Sequence, residues 1–356
     1  MAVDAERLRE FATAILAHAG QDAGRAAKVA ARLVGANLAG HDSHGVGMIP
    51  AYVGGILAGQ LDPAADIELV QDKGPFLLVD GHRGFGHIVA EQAMTLAIDR
   101  AQAHHFATLS LRNSFHLGRL GDWGIMAAEA GFICILYANV QSARPLVAPF
   151  GGSDARFVTN PYCTAIPATE KHPMFVLDMA TSTIAMGKAR VAQLSGKPAP
   201  EGALIDAQGN ATRDPSVVFD GAGGALTAFG QHKGFGLALL GDILGGSFSG
   251  GGAYAPEREV PDRIVNNMMA ILIDPNVFGL AQSFGVDVDS YTDWVKASPA
   301  APGTAGVQFP GDPERRSTAE RSAKGIPLDT GTLAQLTAAA RKAGVPASEH
   351  LCSTSD

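Results

Sequence analysis

The chain has 356 residues, 46% of them hydrophobic and 17% charged, enough apolar side chain to bury an enzyme-sized core and too little polar surplus for a disordered chain. A net charge of −8, with Lys and Arg forming no basic run or basic helix face, argues against nucleic acid or an anionic membrane as partner and leaves a small molecule. No apolar stretch reaches the length of a membrane span, the N-terminus lacks a signal-peptide pattern, and Cys134, Cys163 and Cys352 are odd in number and far apart, so a cytoplasmic protein with reduced thiols and no thiolate-held zinc is expected.

In chain order, Asp4 caps a predicted helix whose Leu8, Phe11 and Ile15 share one face, with Gly20 as its stop, and Asp22 starts a second ending near Gly40. Short β-rich runs follow at 76–81, 106–111, 132–140 and 174–179, separated by helical stretches that contain Gly. Residues 233–246 read as a buried, Gly-tolerant helix, 268–275 as a strand and 330–344 as a C-terminal helix, while the Pro- and Ala-rich run 298–304 reads as a surface crossing. The pattern is mixed α/β, and no flexible linker separates its parts.

The motifs with chemistry fall between these elements. HDSHGVGMIPAYV (41–53) places Ser43 and His44 on a Gly-flanked turn after the second helix, where a neutral imidazole can exchange a proton with a hydroxyl or where both histidines merely satisfy backbone groups. SFHLGRLGDWG (114–124) puts His116 at a strand's carboxyl end, before glycines 118, 121 and 124 that suit either a phosphate or close helix packing. Their spacing is not that of a dinucleotide fingerprint. PFGGSDARFVTNP (149–161) and VLDMATS (176–182) present turn residues and the polar cluster Asp178, Thr181 and Ser182 after a strand, to hold a ligand or to cap a helix. GQHKGFG (230–236) sets His232 and Lys233 at a helix start where an anion can bind, and FPGDPERR (309–316) is a turn carrying Arg315 and Arg316, for which the surface or a 2′-phosphate are both open. A metal on His41, His44 and His116 lacks a dense ligand cluster, and a serine hydrolase on Ser43 lacks the strand–turn–helix elbow.

Taken together, DSHG, SFHLGRLG, PFGG with TNP, LDMATS with GK, HKGFGLAL and PGDPE resemble, over nearly the whole chain, the type 2 malate/L-lactate dehydrogenase family, which includes ureidoglycolate and sulfolactate dehydrogenases and piperideine-2-carboxylate reductases. NLAGHDSHGVGMIP, DILGG with SGG, and WVKASP narrow the likeness to the bacterial hydroxycarboxylate dehydrogenase group. The resemblance implies a non-Rossmann, L-sulfolactate dehydrogenase-like α/β fold. Helical N- and C-terminal parts (1–70 and 298–356, the latter returning to the first helices) surround a central cofactor- and substrate-binding part (71–297) with a mixed sheet that takes NAD or NADP. It also implies a homodimer, and hydride exchange between 2-hydroxy and 2-oxo acids of malate, lactate or hydroxyphenylpyruvate type, with cyclic imine reduction, ureidoglycolate oxidation or a silent binding protein as alternatives.

By that likeness His44, Gly118, Arg119, Leu120, Val176, Leu177, Asp178, Met179, Ala180, His232, Asn266, Gly311, Asp312, Pro313 and Glu314 match cofactor-contacting positions, joined by Lys233. His116 matches an acid/base, with His44 orienting a ligand beside Ser43. Relatives with a Ser-His-Asp relay map it instead to Ser43, His44 and Asp178. Where many members carry an Arg able to pair a substrate carboxylate this chain has Met48, which would make the pocket more apolar and favour bulkier oxo acids. Arg144 is expected to supply the charge, and Tyr52 a hydrogen bond to substrate.

Overall fold

The structure, a computed structural model, describes residues 1–141, 144–219, 221–255 and 263–345. Cys352 lies outside the described residues, as does the end of the C-terminal part.

The chain opens with strand β1 (Ala2–Val3) and helices α1 (Ala5–His18) and α2 (Ala23–Leu38). The two helices start where their aspartates predict: Asp4 accepts from the Arg7 amide at 3.1 Å, and Asp22 from the Gly24 and Arg25 amides at 3.0 and 3.1 Å. Leu8, Phe11 and Ile15 of α1 and Val29, Leu33 and Val34 of α2 are fully buried, the spacing of one apolar face per helix. Two single helical turns, Asp42–His44 and Val46–Met48, lead into α3 (Ile49–Leu57).

The middle of the chain runs β2 (Glu68–Lys73), β3 (Phe76–Asp80), α4 (Gly86–His104), β4 (Phe106–Ser114), α5 (Gly121–Glu129), β5 (Ile133–Gln141), β6 (Tyr162–Ile166) and β7 (Phe175–Met179). A smaller lobe holds α6 (Met186–Leu194), the two-residue strands β8 (Leu204–Ile205), β9 (Ala211–Thr212) and β10 (Ala225–Leu226), and α7 (His232–Leu240). The chain ends with β11 (Val265–Ile273), α8 (Ala281–Lys296), α9 (Asp312–Lys324), β12 (Ile326–Pro327) and α10 (Thr330–Ala343).

The main sheet has seven strands in the order β2-β3-β4-β11-β5-β6-β7, and β3–β4 is its one parallel pair among the described residues. A late strand, β11, thus sits at the centre, with Asn266 opposite Ser114 on one side and Val140 on the other. This order excludes a doubly wound parallel sheet and explains why no dinucleotide fingerprint occurs. Three apolar cores result. One joins α1–α3 to α10 and β12, the second lies between the sheet and α4–α5, and the third fills the small lobe. β1 pairs with β12, so the C-terminal segment docks on the first helices.

Besides the two-residue strands, the sequence pattern misses two strands of the main sheet for physical reasons. Every residue of β2 is exposed, so an edge strand without a buried face shows no alternation, and β6 is a five-residue strand that begins after a proline. The helix expected at 233–246 becomes α7 followed by a wider π turn over Gly241–Ser247, and it is not buried all round: Leu239, Leu240 and Ile243 are 39, 37 and 52% exposed.

Candidate active site

The turn bearing Ser43 and His44 is built by its neighbours. The Val46 amide donates to Asn37 Oδ1 at 2.9 Å, and Asn37 Nδ2 donates to Asp42 Oδ1 at 2.7 Å. Arg321 of α9 holds the same carboxylate through both terminal nitrogens at 2.6 and 3.0 Å, a bidentate geometry that fixes orientation as well as position. A side chain at Gly45 would run into that of Asn37. The motif is therefore clamped between the N-terminal helices and a segment about 280 residues further on.

His116 follows β4 and is nearly buried, at 9% exposure. Its loop is held by the Leu117 amide, which donates to Asn266 Oδ1 at 2.9 Å, and by Trp123, whose indole N–H donates to the Leu117 carbonyl at 3.1 Å. Both ring nitrogens of His116 are engaged: Nδ1 lies 2.7 Å from the Tyr52 hydroxyl and Nε2 lies 3.1 Å from His44 Nδ1. Burial holds the His44 imidazole down to about 4, helped by His41, and holds His116 well below its ordinary value, helped by His44 and His87. His87, behind Gly118, is brought to about 3 by burial and then by Arg32 and His44. Three neutral imidazoles thus share one apolar corner.

His44 and His116 open onto a cavity of about 870 Å³, near the upper end for small-ligand sites. Its walls come from the Ser43–His44 turn, the Leu117–Gly118 loop, β5, the end of β7, α6 and the start of α9. Asp178 at the end of β7 is half-buried and accepts from the Gly121 amide at 2.8 Å. Burial raises its carboxyl, offset by His41, Arg119 and that amide. His41 in turn pairs with Glu314 at 3.1 Å. Lys188 of α6 is the one Lys or Arg on the wall among the described residues, and no described residue pairs with its amine.

A family model for malate/L-lactate dehydrogenase matches residues 3–337. The chain belongs to the malate/L-lactate dehydrogenase family. It is 42% identical to hydroxycarboxylate dehydrogenase B of Escherichia coli (strain K12) over 345 residues, covering 96% of this chain and 94% of that protein. Identity to an L-lactate dehydrogenase of Cupriavidus necator is 39% over 327 residues, 90% of this chain and 92% of the relative. The solved sulfolactate dehydrogenase of Methanocaldococcus jannaschii superposes with a TM-score of 0.86 at 30% identity, covering 98% of this chain and 99% of that one. The protein is thus an oxidoreductase with the fold of this family.

Within this malate/L-lactate dehydrogenase family member, the cavity gathers many of the residues singled out from sequence: Ser43, His44, His116, Gly118, Leu120, Asp178, Met179, Ala180, Asn266, Pro313 and Glu314. Others stand elsewhere. Arg144 donates to the Val218 carbonyl at 3.1 Å in the small lobe and does not line the cavity. Tyr52 is fully buried behind His116. Arg119 pairs with Asp122 at 2.5 Å and faces a second, smaller hollow beside α2 and α9.

His232 and Lys233 are exposed at the start of α7, where the His232 ring meets Phe150. Val176, Leu177, Gly311 and Asp312 flank the cavity wall without forming it; the Val176 amide donates to the Pro310 carbonyl, and Asp312 accepts from the Phe309 amide. Arg315 is held by Asp312 and the Met174 carbonyl, and Arg316 by Gln308. Met48 packs against the N-terminal core and lines no part of the cavity, which removes the reason for expecting a more apolar pocket. No hydrogen bond joins Ser43, His44 and Asp178 among the described residues, and no described group of His, Cys, Asp and Glu is arranged to hold a metal.

Sequence reasoning missed Lys188 and His87. The Lys188 signal was present in the GK after LDMATS, two residues into a helix that also carries Arg190, whereas His87, inside an apolar helix, carries no local mark.

Proposed function

We propose that this protein interconverts 2-hydroxycarboxylates and 2-oxocarboxylates with NAD or NADP. The observation carrying this reading is the hydrogen-bonded row Tyr52–His116–His44, which reaches the wall of a cavity whose one described cationic side chain is Lys188. A 2-oxo acid needs a proton donor at its carbonyl oxygen and a cation at its carboxylate, and these groups are of the required kinds.

The same walls suit a dinucleotide. The cavity has the volume for an extended ligand, and Gly118, with φ of +74°, leaves the loop after His116 without a Cβ. Gly118, Leu120, Met179, Ala180, Asn266 and Pro313 would hold the cofactor, which supplies the hydride acceptor or donor when bound. Lys188 would then neutralise the substrate carboxylate, the part first assigned to Arg144. His44 would hold the proton at the substrate oxygen and His116 would orient His44, because both His116 nitrogens are already bonded to protein. Burial of the His116–His44 pair strengthens the contacts those two rings make, whereas Lys188 is exposed at the cavity mouth.

The test is a panel of 2-oxo acids, cyclic imine carboxylates and ureidoglycolate, each with NADH or NADPH or the oxidised cofactor as its chemistry requires, followed at the nicotinamide absorbance. Turnover of 2-oxo acids supports the reading. Turnover of imines alone or ureidoglycolate alone replaces it with those alternatives, and cofactor binding without any turnover marks a silent protein of this fold.

A further inference from the structure

The polar groups behind the cavity form a line with one open end. Tyr52 lies on α3 and is fully buried, enclosed by Phe85, Phe115 and His87 at ring-centroid distances of 5.3, 5.9 and 5.9 Å. Its hydroxyl has one hydrogen-bond partner among the described residues, His116 Nδ1 at 2.7 Å. His116 Nε2 has one partner as well, His44 Nδ1 at 3.1 Å, and the two imidazoles are nearly parallel, at 4°. Only His44 Nε2, on a ring that lines the cavity, is left for a ligand.

A neutral imidazole has one N–H and one bare nitrogen, so each bond in this line sets the direction of the next. We infer that Tyr52 is a positioning residue that fixes the tautomers of His116 and His44: its hydroxyl donates to His116 Nδ1, His116 Nε2–H donates to His44 Nδ1, and His44 therefore carries its proton on Nε2. The opposite direction would require Tyr52 to accept from His116, leaving its own hydroxyl proton buried among aromatic rings without an acceptor. Burial of both imidazoles keeps them neutral, so the single-proton accounting applies.

The consequence rests on the proposed function. An N–H at His44 Nε2 is a donor ready for a carbonyl oxygen, so the unliganded protein is arranged to receive the oxo acid and to polarise its C=O with a neutral imidazole. Receiving the hydroxy acid with a bare Nε2 would require both tautomers to reverse together. Tyr52 therefore acts through two other side chains, not on substrate as its motif position suggested.

The test is histidine-selective ¹⁵N labelling and long-range ¹H–¹⁵N correlation on the full chain at neutral pH without ligand, with His44→Gln and His116→Gln used to assign the signals. The expected wild-type result is Nε2–H at both His44 and His116. Either residue found as Nδ1–H overturns the inference. In Tyr52→Phe, His116 should lose its single tautomer, and oxo-acid reduction should slow by about 10- to 100-fold while the cofactor-induced thermal shift is unchanged. An unchanged pair of tautomers in a folded Tyr52→Phe also overturns it. A Tyr52→Phe that does not fold leaves the wild-type spectrum to decide. Because that spectrum needs no cofactor or substrate, absence of 2-oxo acid turnover would defeat the proposed function and leave the hydrogen-bond order standing.

Discussion

His44 Nδ1 and His116 Nε2 lie 3.1 Å apart with their rings nearly parallel, so the two cavity-lining histidines form one unit in which both His116 nitrogens are bonded to protein and His44 keeps Nε2 for a ligand. Their substitutions should differ accordingly. His44→Asn is expected to lower kcat by about 10²- to 10⁴-fold, the range for a lost proton donor, and His116→Asn by less, since it only loosens the orientation of His44. Single-turnover hydride transfer at saturating ligands checks this. A larger loss in His116→Asn would return the acid/base role to His116.

Lys188→Met should raise KM for a 2-oxo acid by about 10- to 100-fold, corresponding to one charge-assisted hydrogen bond, with a smaller effect on kcat. Steady-state kinetics and cofactor titration are to be measured together. If the variant weakens dinucleotide binding and spares KM for the acid, Lys188 serves a cofactor phosphate instead.

Stability should fall on acidification through the buried histidines. Folding lowers His44 from 6.5 to about 4 and His87 from 6.5 to about 3, so their contributions are complete above 6.5 and disappear as pH falls toward the folded values. In that window the unfolded chain binds more protons, and each group adds a slope of up to about 1.4 kcal/mol per pH unit. Asp178, raised by burial, opposes this because its contribution is lost as pH rises through its folded value. Denaturant melts at several pH values between 4.5 and 7.5 should show the loss, and His87→Asn should flatten it whatever its effect at pH 7.5.

Gly86, at the start of α4, lies against the backbone of His116 and Leu117, where a Cβ would overlap the His116 carbonyl. Gly86→Ala is expected to destabilise the fold by about 1–3 kcal/mol, as overpacking does, and to reduce kcat by displacing His116. Chemical denaturation with parallel kinetics tests both. Neutral stability and normal kcat would show that the loop yields freely.

Phe278, Leu280, Val286, Tyr291 and Trp294, in and before α8, are 83, 58, 60, 62 and 74% exposed. So much apolar surface on one segment suits burial against a second copy of the chain. A homodimer is expected in sedimentation at micromolar concentration, and Trp294→Glu should weaken it. A wild type that sediments as an active monomer refutes the assembly.

The sequence by itself determined the local parts. Asp4, Asp22 and the apolar spacing of α1 and α2 specify those helices because a cap and a 3.6-residue period act over neighbouring residues. The four β-rich runs announce β3, β4, β5 and β7 in the same way, and the Gly-flanked turns mark His44 and His116 as accessible to a ligand. The family resemblance supplied the non-Rossmann fold and named part of what lines the cavity. Only the tertiary structure decided what each group faces. Arg144 and Lys188 both follow β-rich runs in sequence, yet one is bonded to the Val218 carbonyl and the other lines the cavity. Tyr52 stands eight residues after His44 in the chain but bonds to His116, 64 residues away. Such pairings arise when β11 inserts between β4 and β5 and α9 clamps Asp42. Those contacts join segments far apart in sequence, and local periodicity and turn chemistry carry no record of which distant backbone will supply a side chain's partner.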